Sequence, residues 1–129
     1  MPNRTYAIEW VQHAKRNLET ARLLFKEKHY TDIIAIEIHQ IIEKLLKAIL
    51  AYNGIKLYKT HNLMELKQET DKFITLDILT IDALIEINDY YDTERYPGPK
   101  YFSPTYEEIA RNINIAENLY KIIDAYIKN

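Results

Sequence analysis

Apolar residues recur along most of this chain at the alternating three-and-four spacing of amphipathic helices. From residue 5 to 28, Ala7, Trp10, Val11, Ala14, Leu18, Ala21, Leu24 and Phe25 form one stripe, which predicts a first helix. A second is predicted over residues 31–53, with Asp32 near its start to complement the dipole and Gly54 closing it. Only His29 and Tyr30 connect the two, so they are expected to be antiparallel neighbours. Residues 61–70 predict a shorter helix through Leu63, Leu66 and Met64. The next is predicted over 77–92, with Asp77 as its N-cap and Ile78, Ile81, Leu84, Ile85, Ile87 and Tyr91 facing inward. Pro97 and Pro99 break the period across 93–103. The last helix has the most regular seam: Tyr106, Ile109, Ile113, Ala116, Tyr120, Ile123 and Ile127. Ser103 is its expected cap, with Pro104 at the first helical position and Glu107 and Glu108 in the first turn.

The pattern predicts an all-α fold: an antiparallel up-and-down bundle of four long helices plus one short helix, in a single domain spanning 1–129. The second helix departs from the usual surface pattern. Gln40, Glu43, Lys44 and Lys47 share one face, yet Ile38, Ile41, Ile42, Leu45, Leu46 and Ile49 flank them closely. Such a helix packs on most sides and uses its polar stripe locally. Glu43 and Lys47 are also spaced as a simple i, i+4 ion pair.

Composition narrows the class. A hydrophobic fraction of 47% with 28% charged residues reads as soluble and globular, and two glycines and four prolines favour long helices over many strands. No apolar run approaches the ~20 residues of a membrane span, and the N-terminus lacks a signal-peptide core. The absence of cysteine excludes disulfides and thiolate chemistry, and fits a cytoplasmic protein. Twenty isoleucines exceed what a small bundle can hide. Ile36, Ile115 and Ile122 lie off the main seams, so a homodimer is expected.

The net charge of −2 conceals an asymmetry. Residues 4–29 carry six basic against three acidic residues, a net +3, whereas residues 65–94 carry nine acids against two lysines, a net −7. Any nucleotide or RNA contact must therefore be local, near Lys44, Lys47, Arg95 and Lys100. The acidic segment reads as a solvated face or as a docking surface for a basic partner.

Several segments, in order, resemble the HEPN family (higher eukaryotes and prokaryotes nucleotide-binding). These are Trp10, Ala14, Leu18 and Ala21; His39-Gln40 with Glu43-Lys44, Leu46-Lys47-Ala48; His61-Asn62-Leu63 with Leu66; and Arg95-Tyr96-Pro97. The resemblance covers nearly the whole chain and implies a commonly dimeric helical fold. In ribonuclease members four to six residues separate an Arg from a following His, and two subunits compose the site. Here Lys100 stands at the His position and Phe102 at that of a following Tyr, and no histidine follows Arg95. A protonated lysine is a poor general base. Arg22 and His29 match the spacing but at another place in the fold.

Arg95 is the leading candidate, because a guanidinium clasps phosphate and stacks on aromatic rings. Tyr96 and Tyr101 beside it can stack bases, and with Lys44 and Lys47 they complete the candidate nucleotide or RNA contacts. Arg95 and Lys100 are the candidate catalytic pair, with His39, Gln40, Glu43 and His61 as supporting residues. His61 is expected to cap or brace the short helix. No His/Asp/Glu set has metal-site spacing, and no cofactor is implied.

The resemblance implies a binding module that pairs with a separately encoded minimal nucleotidyltransferase in a toxin–antitoxin-like system, with Tyr101 or Tyr96 as modifiable tyrosines. The first alternative is a metal-independent endoribonuclease. There Arg95 holds the scissile phosphate, Lys100 stabilises charge, and Tyr96, Tyr101 or His61 transfers protons. The second is plain nucleotide binding.

Overall fold

A computed structural model describes residues 2–56, 59–95 and 103–128, with the backbone alone for 92–95. Its elements are α1 (Arg4–Lys26), α2 (Thr31–Tyr52), α3 (Leu63–Thr70), α4 (Ile81–Arg95) and α5 (Tyr106–Lys128), and no strand occurs among the described residues. This is the expected bundle of four long helices and one short one.

α2 is the axis of the molecule. It packs against α1, α3, α4 and α5, and 15 of its 22 residues are buried, against five of 23 in α1. Its near-continuous Ile, Leu and Ala sequence is what a helix enclosed on most sides requires. Hydrogen bonds at the helix ends fix the directions. Asn3 N donates to Ala51 O, so α1 starts where α2 ends. Arg4 Nη2 donates to Lys128 O, and Tyr106 Oη donates to Lys28 O and His29 O, so α5 runs antiparallel to α1. On α4, Glu86 accepts from Arg111 and Asn112, while Tyr90 accepts from Asn112 and donates to Glu108, so α4 and α5 are antiparallel. One apolar core joins all five helices, with Leu18, Ile38, Ile42, Leu46, Leu66, Ile87 and Ile113 among its members.

Two helix starts differ from the sequence expectation. α4 begins at Ile81, with Thr80 Oγ1 accepting from Ala83 N, whereas Asp77 sits in a preceding turn. The inward face is consequently narrower than expected. Leu84, Ile87 and Tyr90 are buried, but Ile81 is 70% exposed and Ile85 47%. Ile85 lies about 100° around the helix from Leu84, beyond the contact with α2. α5 begins at Tyr106, and Thr105 rather than Ser103 provides the cap, its Oγ1 accepting from Glu108 N. Pro104 is buried just ahead of the helix, not its first residue. The predicted α5 seam is otherwise buried from Ile109 to Ile127, with Tyr120 half-buried, Tyr106 exposed and Asn112 and Leu119 added.

The α1 and α2 C-termini end alike, in left-handed residues. At Gly54 (φ 78°), Ile55 N reaches Leu50 O and Gly54 N reaches Ala51 O, satisfying two end carbonyls. At Lys28 (φ 53°) the same pattern uses His29 N to Leu24 O and Lys28 N to Phe25 O. Glycine adopts this conformation without strain, and lysine pays about 1–2 kcal/mol for it. Lys28→Gly is therefore expected to raise the free energy of unfolding by ~0.5–1 kcal/mol, and Gly54→Ala to lower it by about 1 kcal/mol, in urea titrations followed by helical circular dichroism.

Candidate functional site

The polar stripe of α2 splits between two neighbours. Lys44 turns toward α1, where its Nζ donates to Asn17 Oδ1 at 2.7 Å and Asn17 Nδ2 donates to Glu37 Oε1 at 2.8 Å. Burial lowers the Lys44 pKa, while Glu37 and then Glu43 oppose that shift. Gln40 is half-buried beside it. Glu43 and Lys47 are more deeply enclosed, at 4% and 3% exposure. Lys47 Nζ donates to Glu43 Oε2 at 2.8 Å and sits 5.4 Å from the centre of the Trp10 ring.

The segment leading into α3 brings the second group to Glu43. His61 Nδ1 lies 3.1 Å from Oε1 and 3.2 Å from Oε2. A carboxylate only accepts, so Nδ1 carries the hydrogen of this bond. Asn62 fixes this segment: its Oδ1 caps α3 by accepting from Met64 N and Glu65 N. Asn88 on α4 locks it further, accepting from Leu63 N at 2.8 Å. His39 completes the cluster from one turn before Glu43. Its Nε2 donates to His61 O at 3.1 Å, while its Nδ1 stands 3.6 Å from Glu43 Oε1, too far for a hydrogen bond, and is otherwise unpartnered. Burial lowers the His39 pKa, with Glu43 partly opposing, so the ring is neutral near pH 7.

Tyr91 of α4 covers this cluster. Its ring stacks on His61 at 4.8 Å with 16° between planes, and lies 5.3 Å from His39. The His61 side chain keeps 48% of its surface exposed. It opens on a surface depression of about 390 Å³ bordered by Lys59, Thr60, Asn62, Asn88 and Tyr91. Arg95 follows Tyr91 by one helical turn, on the same face of α4. The structure thus brings His39, Glu43, Lys47 and His61 together, and Arg95 ends α4 one turn after Tyr91. The Arg95 side chain, Tyr96, Lys100 and Tyr101 lie outside what is described.

Two sequence expectations change. Lys47 was expected as a nucleotide contact, but its ammonium neutralises Glu43 beneath the surface. Lys44, half-buried, is held by Asn17. His61 does more than brace α3, because its ring carries a buried carboxylate on one nitrogen and faces solvent. The sequence reading missed the Trp10–Lys47 contact, although Trp10 sits on the inward stripe of α1. It also missed Tyr91 as a stacking partner, signalled only by its position four residues before Arg95. Among the described residues no group of three or more His, Asp or Glu is arranged to hold a metal ion, and no helix is long and apolar enough to cross a membrane.

The sequence and fold have relatives. The HEPN domain profile matches residues 7–126. A protein of Methanocaldococcus jannaschii that bears the name "Putative toxin MJ1304" is 28% identical over 144 aligned positions, covering 98% of this chain and 91% of its own. The crystal structure of ST0689, an archaeal HEPN homologue, matches with a TM-score of 0.72 at 23% identity, covering 94% of this chain and 97% of that one. That likeness extends the all-helical fold.

The buried cluster sets two expectations. Glu43→Ala removes the carboxylate to which the enclosed Lys47 ammonium donates and should cost about 3–5 kcal/mol in urea unfolding, and combining it with Lys47→Met should recover part of that loss. The depressed His39 pKa means that the unfolded chain binds this proton more readily than the folded one. Its contribution to stability is complete above about pH 6.5 and is lost as pH falls below it. Urea midpoints should therefore decline on acidification below about pH 6.5, and less steeply for His39→Gln.

Proposed function

The chain belongs to the HEPN domain family, and on that basis we propose that it is a toxin-type HEPN protein, one half of a two-component system with a separately encoded minimal nucleotidyltransferase. The observation that carries this reading is the convergence of Glu43, Lys47 and His61 with α4 one turn before Arg95. Three of the family-like segments thereby meet, those of Trp10, of Glu43 with Lys47, and of His61. The name of the archaeal relative supports the toxin assignment. The partner surface is the outer face of α3 and α4. There Ile81, Ile85 and Met64 are exposed beside Glu65, Asp82 and Asp89, so an apolar patch with an acidic border faces solvent. Leu23, Tyr30, Ile33 and Ile122 are exposed elsewhere and supply surface for a homodimer.

A second reading, metal-independent endoribonuclease, is favoured by one specific observation. A half-exposed imidazole is held by a carboxylate and stacked on Tyr91 of α4, the helix that ends in Arg95. RNA cleavage is a means by which a toxin of this kind acts, so the two readings are compatible.

Expression of the chain alone is expected to arrest growth of a bacterial host, and Arg95→Ala of equal helical content to relieve the arrest. Affinity capture from the native host is expected to recover a nucleotidyltransferase whose co-expression restores growth. Unimpaired growth together with capture of no transferase would sink the proposal.

A further inference from the structure

The narrow inward face of α4 leaves aliphatic side chains on the outside of the bundle. Ile81 is the most exposed isoleucine among the described residues, at 70%. Between α3, the turns over residues 71–80 and α4 lies a groove of about 450 Å³. Leu79 and Leu84 are its buried floor, and Met64 and Ile81 are the exposed apolar residues at its edges. Ile85 continues the Ile81 edge one turn along α4. A contiguous apolar patch of this kind marks a place where a second apolar surface comes in.

The border of the groove is acidic. Glu65 and Asp71 line it, and Asp82 and Asp89 share the exposed face of α4 with Ile85. Lys67 also lines it, but its Nζ donates to Asp71 at 2.7 Å. Nearby, Lys72 pairs with Glu69 and Arg111 with Glu86. Among the described residues no lysine or arginine pairs with Glu65, Asp82 or Asp89.

These features select the occupant. The elements on both sides are helices, so no strand edge is open to an extended peptide. A chain entering the groove must satisfy its own backbone groups, as a helix does. The border calls for positive charge. Two copies of this face set against each other would place acid on acid. The other outer helices of the chain lack a matching stripe. The exposed large apolar residues of α1 are Tyr6, Ile8 and Leu23, and those of α5 are Tyr106 and Ile122, none of them three, four or seven residues apart.

We propose that this groove receives an amphipathic helix of a partner protein. Aliphatic residues at i, i+3, i+4 and i+7 enter between Met64 and Ile81, and lysine or arginine on the flanks meets Glu65, Asp82 and Asp89. This rests on the reading of α3 and α4 as the partner surface and names the element that fills it. α3 has eight residues and is about 12 Å long, so the engaged stretch spans about two turns. Burial of Met64, Ile81 and Ile85 supplies the attraction, and the carboxylates set orientation and the rate of encounter.

The test uses the full-length protein and a fluorescein-labelled peptide of about 15 residues, with leucine at i, i+3, i+4 and i+7 and lysine on the flanks. Anisotropy is expected to show saturable binding that weakens as salt is raised. It should weaken about tenfold when the same residues are reordered so that the leucines share no face. Ile81→Ser combined with Ile85→Ser, both at exposed positions, should keep the helical circular dichroism and weaken binding about tenfold. Asp82→Lys combined with Asp89→Lys should reject this peptide and admit its glutamate-flanked counterpart. In methyl NMR the peptide should shift Met64, Ile81 and Ile85 and leave Ile8 and Ile122 in place. Shifts elsewhere, or equal binding of the reordered peptide, overturn the inference. The same two variants then serve as bait for the nucleotidyltransferase in the native host. A transferase held equally well by wild type and both variants overturns the inference and leaves the partner reading standing. A peptide seated in the groove with no transferase recovered upholds the inference and overturns the transferase as partner. A light-scattering mass that halves in the Ile81→Ser, Ile85→Ser variant places a second copy on this face and overturns the inference.

Discussion

A buried carboxylate is the constraint around which the rest of the structure is arranged. Glu43 sits in the most enclosed helix of the molecule, where an unpaired charge would be driven to neutralise or to unfold its surroundings. Lys47 answers it from one turn along the same helix, and the two together are electrically neutral. Burying such a pair is rarely a gain over well-packed apolar residues of the same volume. Three other elements nevertheless converge on it. Trp10 of α1 lies against the lysine, the segment before α3 supplies His61, and α4 supplies Tyr91. Stability alone does not account for so much structure around one charge. The carboxylate also holds the His61 ring, through Nδ1.

The pair also sets the shape of α2. A helix enclosed by α1, α3, α4 and α5 has little surface left for solvated side chains, so its polar residues must find partners within the bundle. Lys44 finds Asn17 on α1, which ties the two helices at mid-length, and Lys47 finds Glu43 one turn away on α2 itself. On the α5 side of α4, Tyr90, Asn112, Glu86 and Arg111 form a second polar connection. There burial and then the bond to Glu108 keep the Tyr90 hydroxyl protonated. α4 is thus fixed on both flanks, and the position of its last turn, which carries Arg95, follows from contacts made earlier along the helix.

Much of the fold was legible because periodicity reports burial directly. The α1, α2 and α5 stripes were read residue by residue, and Gly54 marked the end of α2 because no other residue type takes a positive φ as easily. α4 was the weakest reading. Ile81 and Ile85 look like core by composition, but which isoleucines face inward depends on where the helix begins, and Thr80 rather than Asp77 decides that. The site was legible in its members and not in their roles. The α2 stripe was recognisable as something other than a solvated face, yet a lysine of known sequence position reads the same whether its ammonium meets water or a carboxylate. Likewise His61 lies 18 residues from Glu43 along the chain, and only the packing of the α3 entrance against α2 brings them to hydrogen-bond distance.

The place of His61, at the entrance to α3, has a structural consequence. Its orientation depends on Glu43, which Lys47 bonds within the core, and its stacking partner depends on the docking of α4. The exposed ring is therefore supported by the same contacts that hold the bundle together. A loop-borne histidine could be repositioned by loop conformation alone. This one moves only if α4 or the α3 entrance shifts against α2. A protein that docks on the outer face of α3 and α4 would press on the two elements that position the imidazole and Arg95. That would couple partner binding to the site without the partner having to enter it.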